Sequence, residues 1–247
     1  MNQSERRLFL LDWLLKERGS RMAIPDDAQS QWLLLRALLN VRPPKAAARE
    51  FLEAQDEFLK EETRKKGITD VSAFKDGLSV WQGDITTLRC DAIVNAANSG
   101  LTGCYVPNHG CIDNAIHTYA GIELRLCCSK FGGNEPTGRA RITPGYNLPA
   151  RFVIHTVGPI VQGRLTARDR ALLASSYSSC LVIADERKLE SIAFCCISTG
   201  EFRFPREEAA RIAVKTVREF LEKGSSLRKV VFNVFKDEDR EIYKSIV

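Results

Sequence analysis

Two cysteines and one histidine lie close together near the middle of the sequence, at a spacing that suits a metal ion. Cys104, His109 and Cys111 form a C-x4-H-x-C pattern, and the glycines and proline of this stretch supply bends that let the side chains converge. Zinc prefers thiolate and imidazole ligands. Three protein ligands with one open coordination position are typical of a catalytic zinc site. The alternative interpretation is two buried thiols beside an unrelated histidine.

The same pattern leaves open a structural zinc site with an interaction role. A structural site takes four protein ligands, so one of the other cysteines would have to complete it. The candidates are Cys90, Cys127 and Cys128, and none of them forms a C-x2-C pair near the loop.

Two further segments carry polar side chains directly after predicted strands. The carboxylate of Gly83-Asp84-Ile85-Thr86 can accept a hydrogen bond from an exocyclic amine, or it can cap a short helix. The two amides of Asn95-Ala96-Ala97-Asn98 can hold sugar hydroxyls, because an amide both donates and accepts. Ordinary turn chemistry is the alternative for the second segment.

A fourth segment, Ser198-Thr199-Gly200-Glu201-Phe202, links a predicted buried strand to a helix that Pro205 opens. Backbone N–H groups in such a loop, with the positive end of a helix dipole behind them, favour a pyrophosphate. The segment lacks the lysine of a P-loop. Ser/Thr-Gly turns between strands and helices are common, so this segment alone does not define a function.

The sequence of residues 1–75 predicts three helices and contains no side chain that we assign to catalysis. The first begins with a Ser4 cap and carries Leu8 on its apolar face, the second begins at Pro25, and the third covers about residues 45–66. We interpret them as a helical extension packed on the main domain. A docking surface for a protein partner is the alternative.

Residues 76–247 alternate between short apolar strands and helices. Strands are expected at 78–82, 92–96, 139–143, 151–157, 191–197 and 229–235, and helices at 112–121, 167–187, 206–222 and 237–246. This alternation predicts an α/β fold, a three-layer αβα sandwich around a mostly parallel sheet. Ligands bind such sheets at the carboxyl ends of the strands, where the polar segments lie.

Composition excludes several classes of protein. The net charge of +5 over 247 residues is small and evenly spread, so we expect no nucleic-acid partner. The apolar run at residues 8–15 is interrupted by Asp12 and is too short to span a membrane, and it has no signal-peptide cleavage site. We therefore expect a cytoplasmic protein without a membrane partner, whose eight cysteines are thiols or metal ligands.

Taken together and in this order, the segments resemble the macrodomain family over about residues 76–247. The stretch Ile112-Asp113-Asn114-Ala115-Ile116-His117 also matches a family motif. Most hydrolytic macrodomains carry a Gly-Gly-Gly loop before the Asp-containing helix, whereas this chain carries the Cys/His/Cys pattern. That departure, with the additional N-terminal helices, resembles the zinc-containing subfamily of protein-ADP-ribose hydrolases.

The resemblance implies ADP-ribose as the ligand and assigns a role to each segment. Asp84 should contact the adenine amine with Ile85 close by, Phe235 should stack on the ring, and Asn233 should assist. The pyrophosphate should be wrapped by Ser198, Thr199, Gly200, Glu201 and Phe202. Asn98 should reach the distal ribose, and Asp113 stands where related hydrolases place a catalytic carboxylate.

The activity implied is zinc-dependent removal of mono-ADP-ribose from modified proteins. Zn²⁺ would be the cofactor, and Asp113 would orient or deprotonate the attacking group. A lipoyl-carrier protein modified by a sirtuin-type transferase is the partner found for some members of the subfamily. The alternative is a module that binds ADP-ribose without cleaving it. We expect a packing role for His117 and a hydrogen-bonded core position for His155.

Overall fold

A computed structural model describes all 247 residues of the chain. The helical extension contains three helices that pack on one another through a separate apolar core. They are α1 (Gln3–Glu17), α2 (Ala28–Val41) and α3 (Arg49–Lys66). Their buried cluster includes Leu10, Leu35 and Phe51, and Ile122 is its one member from outside the extension. The three predicted helices are thus confirmed.

The ends of these helices differ from the sequence predictions. Asn2 caps α1 in place of Ser4, since its side chain accepts from the Glu5 N–H within a capping box. Asp27 caps α2, which begins at Ala28, three residues after the predicted beginning at Pro25. Leu8 is 41% exposed, so its predicted place on the apolar face is wrong. The buried face of α1 carries Leu10, Leu11, Leu14 and Leu15, and position 8 lies at its edge.

The remaining chain builds a six-stranded sheet with helices on both faces. A two-stranded parallel pair, β1 (Thr69–Asp70) and β3 (Leu88–Arg89), stands apart from this sheet. The main sheet contains β2 (Gly77–Gln82), β4 (Ala92–Ala96), β5 (Ala140–Pro144), β6 (Phe152–Thr156), β7 (Ser191–Phe194) and β8 (Lys229–Val234). The order is β2-β8-β7-β4-β6-β5, and every neighbouring pair is parallel except β5 with β6.

Five helices accompany the main sheet: α4 (Ile112–Ala120), α5 (Ile122–Ser129), α6 (Ala167–Glu186), α7 (Arg206–Leu221) and α8 (Asp237–Lys244). Four of them match predictions, whereas α5 does not. The prediction ended at Gly121, which does end α4 with a φ of +94°, but a second helix begins directly after it. The predicted α/β sandwich with a mostly parallel sheet is confirmed.

Parallel strands place the candidate site on one edge of the sheet. The strands β2, β4, β7 and β8 run in the same direction, so their carboxyl ends lie together, followed by the polar segments. The extension lies beside this edge, with α2 and α3 both in contact with α4.

The boundary between the helical extension and the main domain, placed near residue 75, remains a prediction. No helix has the length and apolar character needed to cross a membrane.

Candidate active site

Asp84 lies directly after β2, where its carboxylate begins a short 3-10 helix (Ile85–Thr87). One carboxylate oxygen accepts from the Thr86 N–H at 2.9 Å and from the Thr86 hydroxyl at 2.6 Å. The other accepts from Lys66 Nζ at 2.7 Å. Burial alone would raise the pKa of Asp84, but the bonds from Lys66 and Thr86 outweigh it and lower this pKa. An ionised acceptor therefore stands at the end of β2, with Ile85 buried beside it.

The end of β8 supplies the two other residues assigned to adenine. The Asn233 amide donates to the Gly83 carbonyl at 2.9 Å, so it holds the turn that presents Asp84. Phe235 is 74% exposed, which leaves its ring face free. A free aromatic face beside a fixed carboxylate is suited to stacking on a base while its amine is bound.

The loop of residues 198–202 has one buried hydroxyl without a partner. Ser198 has a φ of +66°, and its Oγ is buried and makes no hydrogen bond. A Cβ at Gly158 would lie 2.1 Å from this oxygen, so only glycine allows the close approach. Thr199 bonds back to the Cys196 carbonyl at 3.0 Å, and the Phe202 carbonyl accepts from the Val161 N–H at 2.9 Å. The Ser198 hydroxyl is thus left without a hydrogen-bond partner within the protein.

Asn98 and Asp113 are in direct contact. Asn98 Nδ2 donates to Asp113 Oδ2 at 3.2 Å, and Asn95 Nδ2 donates to Asp113 Oδ1 at 2.8 Å. Asp113 is 5% exposed in the first turn of α4. Burial raises its pKa to about 6, although the Asn95 hydrogen bond and the charge of Arg125 act in the opposite direction. A carboxyl group with a pKa near neutrality is suited to proton transfer.

His117 lies one helical turn after Asp113 and is buried without a hydrogen bond. Its Nε2 is 3.6 Å from Asp113 Oδ1, which is too long for a hydrogen bond, and neither ring nitrogen has a partner. Burial, together with His155 and Arg125, lowers its pKa, so the ring is neutral. His155 contacts the Asn95 amide at 3.1 Å and the Thr143 hydroxyl at 3.0 Å, as expected for a core histidine.

The Cys/His/Cys loop, residues 103–111, brings its three predicted ligands together. Cys104 Sγ lies 3.5 Å from His109 Nδ1, and all three candidate ligand atoms lie within 4.8 Å of one another. Tetrahedral zinc with bonds of about 2.0–2.3 Å places its ligand atoms about 3.6 Å apart, so the cluster fits the ion. Burial raises the pKa of the Cys111 thiol to about 12, so a cation is needed to hold it as thiolate at neutral pH.

The surroundings of the loop bear on the question of a fourth metal ligand. The other nitrogen of His109, Nε2, lies 3.6 Å from Glu201 Oε1, which is too long for a hydrogen bond, so Glu201 is a nearby charge and not a fixed partner of the ring. The cysteines proposed as a fourth ligand do not belong to this cluster, and Cys128 groups with His117 and His155 elsewhere. The structure thus brings three candidate ligands together in this loop.

Three residues of the helical extension reach the site, and the sequence did not single them out. Lys66 binds Asp84, and Arg36 donates to the His109 carbonyl at 2.9 Å. Asn40 accepts from the Asn108 N–H at 3.0 Å. Polar residues at such positions in amphipathic helices look the same in sequence as those on a solvated face.

Comparisons with known proteins agree with the fold. The Macro domain family profile matches residues 94–213. The chain is 52% identical to a protein-ADP-ribose hydrolase of Treponema medium, over 100% of both chains. It is 48% identical to a protein-ADP-ribose hydrolase of Staphylococcus aureus (strain MRSA252), over 96% of this chain and 92% of the relative.

Among solved structures, it resembles a Trypanosoma brucei macrodomain in complex with ADP-ribose. The TM-score is 0.67 at 31% identity, over 85% of this chain and 94% of that chain. The full-length identity to curated relatives, the family profile and the similarity to a solved macrodomain structure lead to one assignment. This chain belongs to the macrodomain family.

Proposed function

We propose that this protein is a zinc-dependent hydrolase that removes mono-ADP-ribose from modified proteins. The observation that carries the proposal is the position of Asn98. Its amide donates both to Asp113 Oδ2 and to the Gly103 carbonyl, next to Cys104, at 3.2 Å each. One side chain thus joins the candidate catalytic carboxylate to the candidate metal ligands. A module that only binds ADP-ribose needs neither a metal ion with an open position nor a carboxyl group with a pKa near neutrality.

ADP-ribose would lie along the carboxyl edge of the sheet. Asp84 would accept from the adenine amine, with Ile85 and Asn233 shaping the position and Phe235 stacking on the ring. The pyrophosphate would bind the 198–202 loop, where the Ser198 hydroxyl has no other partner. The distal ribose would then reach Asn98, beside Asp113 and the Cys/His/Cys loop. The T. brucei macrodomain binds ADP-ribose, and both curated relatives are named protein-ADP-ribose hydrolases.

Each group of residues would then have its own role in the reaction. Cys104, His109 and Cys111 would hold Zn²⁺, which when bound supplies Lewis-acid polarisation of an oxygen at its open position. Asn98 would orient the ribose by accepting from a hydroxyl at the second lone pair of its Oδ1, since both of its N–H groups already donate within the protein. Asp113 would orient the attacking group or accept its proton while the bond from the anomeric carbon to the protein side chain breaks.

The resemblance to the zinc-containing subfamily points to a partner and a compartment. A lipoyl-carrier protein, modified by a sirtuin-type transferase, is the target that it implies. Thiolate ligands require a reducing compartment, so we place the reaction in the cytoplasm.

The test is release of ADP-ribose from mono-ADP-ribosylated proteins of defined linkage, with and without a chelator. We expect turnover by the zinc-loaded protein, loss with chelator and recovery on adding zinc. Asp113→Ala should abolish turnover, whereas Cys90→Ala, which removes a cysteine outside the cluster, should retain it. Tight ADP-ribose binding without turnover on any linkage would favour the non-catalytic alternative. Turnover that a chelator leaves unchanged would contradict the metal assignment.

A further inference from the structure

The Cys/His/Cys loop has little backbone structure of its own. Within residues 103–110, one hydrogen bond joins backbone to backbone, from the His109 N–H to the Val106 carbonyl at 3.2 Å. Asn108 adopts a φ of +54°, in the left-handed region. A metal site needs its ligands held within about 0.5 Å of their productive positions. The loop must therefore be held by contacts from elsewhere in the chain.

Arg36 of α2 supplies the first of these contacts. Its guanidinium donates through Nη2 to the carbonyl of His109, one of the three candidate ligands, at 2.9 Å. The same group donates to Asn114 Oδ1 through Nη2 at 2.8 Å and through Nε at 3.2 Å. Because Asn114 Oδ1 is held in this way, its Nδ2 faces the Val106 carbonyl, to which it donates at 3.0 Å. One arginine thus fixes the loop at two carbonyls, directly and through a buried amide.

Asn40, one turn further along α2, holds the residue between these two carbonyls. Its Oδ1 accepts from the Asn108 N–H at 3.0 Å, and its Nδ2 donates to the Thr118 hydroxyl at 3.0 Å. Asn40 is 1% exposed, so water cannot replace the partners of its amide. A lost partner at a buried polar group leaves the other group unsatisfied, which is costly.

Arg125 of α5 fixes the end of α2 to the beginning of the loop. Its Nη1 donates to the carbonyls of Leu39, Asn40 and Arg42, and its Nε donates to the Thr102 carbonyl at 2.7 Å. The end of α2 and the chain leading into the Cys/His/Cys loop are therefore joined through a single guanidinium. The side chains of Arg36 and Asn40 extend from a helix whose position relative to the loop is fixed.

We propose that Arg36 and Asn40 are positioning residues of the Cys/His/Cys loop, so that the helical extension sets its metal affinity. This inference rests on the proposed function for the identity of the ion. Neither residue touches the metal or the substrate, and both act through the loop backbone. The extension is then a part of the active site rather than a separate helical cap.

The experiment compares the full chain with Arg36→Met and Arg36→Lys, and uses Arg49→Met as the matched control. Arg49 is on the same extension, its side chain is 91% exposed, and it pairs with Glu53 on its own helix. Zinc affinity is measured by competition with a chromogenic chelator, and ADP-ribose affinity by calorimetry. Contacts that orient a metal ligand typically contribute 10- to 100-fold in metal affinity.

We expect Arg36→Met to weaken zinc binding by about 10- to 100-fold and to lower kcat with it. Arg36→Lys should fall between, since its ammonium keeps the charge but not the planar fork with which Arg36 donates from Nε and Nη2. ADP-ribose affinity should stay within about twofold of the parent, because adenine and pyrophosphate bind elsewhere. Arg49→Met should match the parent in every measurement. Parent-like zinc affinity in Arg36→Met would overturn the inference.

A second measurement does not depend on the metal. Amide hydrogen exchange of the metal-free protein should be faster at residues 104–111 in Arg36→Met, and at Asn108 in Asn40→Ala, with the sheet unchanged. Unchanged exchange in the loop would overturn the positioning role. If the parent protein binds no zinc at all, the metal assignment fails, and exchange in the loop still decides whether Arg36 and Asn40 position it.

Discussion

Replacing His109 with alanine tests whether the metal ion contributes to turnover or to the binding of ADP-ribose. The His109 side chain is 34% exposed, and its ring approaches Cys104 and the exposed Glu201. Removing it therefore takes away one candidate ligand with little loss of packing. The variant should lose zinc, because two thiolates alone remain. Losing an electrostatic contributor where charge develops in the transition state costs about two to three orders of magnitude in rate.

The affinity for ADP-ribose should change far less than the rate. Asp84, Phe235 and the 198–202 loop lie outside the Cys/His/Cys loop, and they are expected to supply most of the binding energy. An interaction made mainly in the transition state lowers kcat more than it weakens ground-state binding. We expect an affinity for ADP-ribose within about threefold of the parent and a kcat about 100- to 1,000-fold lower.

The assay is single-turnover release of ADP-ribose from a modified protein, with zinc content measured on the same sample. Val106→Ala is the matched control, because it changes an exposed side chain of the same loop and keeps all three ligands. A His109→Ala protein that has lost its zinc yet turns over at the parental rate would refute the reasoning. The ion would then be structural, and Asp113 would carry the reaction without it.

Three other predictions concern separate parts of the molecule. Asp84→Ala should weaken ADP-ribose binding by about 1.5–3 kcal/mol in calorimetry, the range for a hydrogen bond to a charged group. Phe235→Ala should weaken it by about 1–3 kcal/mol, the range for stacking on a base, without lowering the melting temperature, since the ring is 74% exposed. Asp91→Asn should lower the free energy of unfolding by about 1 kcal/mol at pH 7. Unchanged affinities in the first two variants would contradict the assigned adenine position.

The pH dependence of the Asp91 effect has a definite sign. Burial would raise the pKa of Asp91, but hydrogen bonds from the Glu190 and Ser191 N–H groups and from Arg151 lower it overall. Stability from a lowered pKa is present above the unfolded value of about 3.9 and is lost as pH falls through the folded value. In urea unfolding, the difference between parent and Asp91→Asn should therefore be present at pH 7, begin to shrink below a pH of about 4, and vanish only below the lowered pKa of Asp91. A constant difference down to acid pH would count against this account.

The fold could be predicted because local pattern and tertiary burial agree in most elements. The central strand β4 lies inside a parallel sheet covered on both faces, and it reads as an apolar run. Helix α5 was not predicted because a glycine such as Gly121 typically ends a helix, and no capping side chain marks the beginning of a second one. Leu8 was misplaced because periodicity alone allows a wider apolar face than the three-helix cluster buries.

The candidate site was predictable wherever its residues are close in sequence. Cys104, His109 and Cys111 fall within eight positions, and their spacing alone indicates convergence. Contacts with Arg36 and Lys66 join residues that are 73 and 18 positions apart, and only the packing of α2 and α3 against the sheet edge brings them there. No short-range pattern encodes such pairs.

The helical extension touches both ends of the edge where ADP-ribose is proposed to bind. Lys66 of α3 binds Asp84 at the adenine end, and Arg36 of α2 binds the Cys/His/Cys loop at the ribose end. Both helices belong to one buried apolar cluster, so their positions depend on each other. The two ends of the site are therefore mechanically joined through the extension, and a change that loosens its core should affect adenine recognition and metal affinity together.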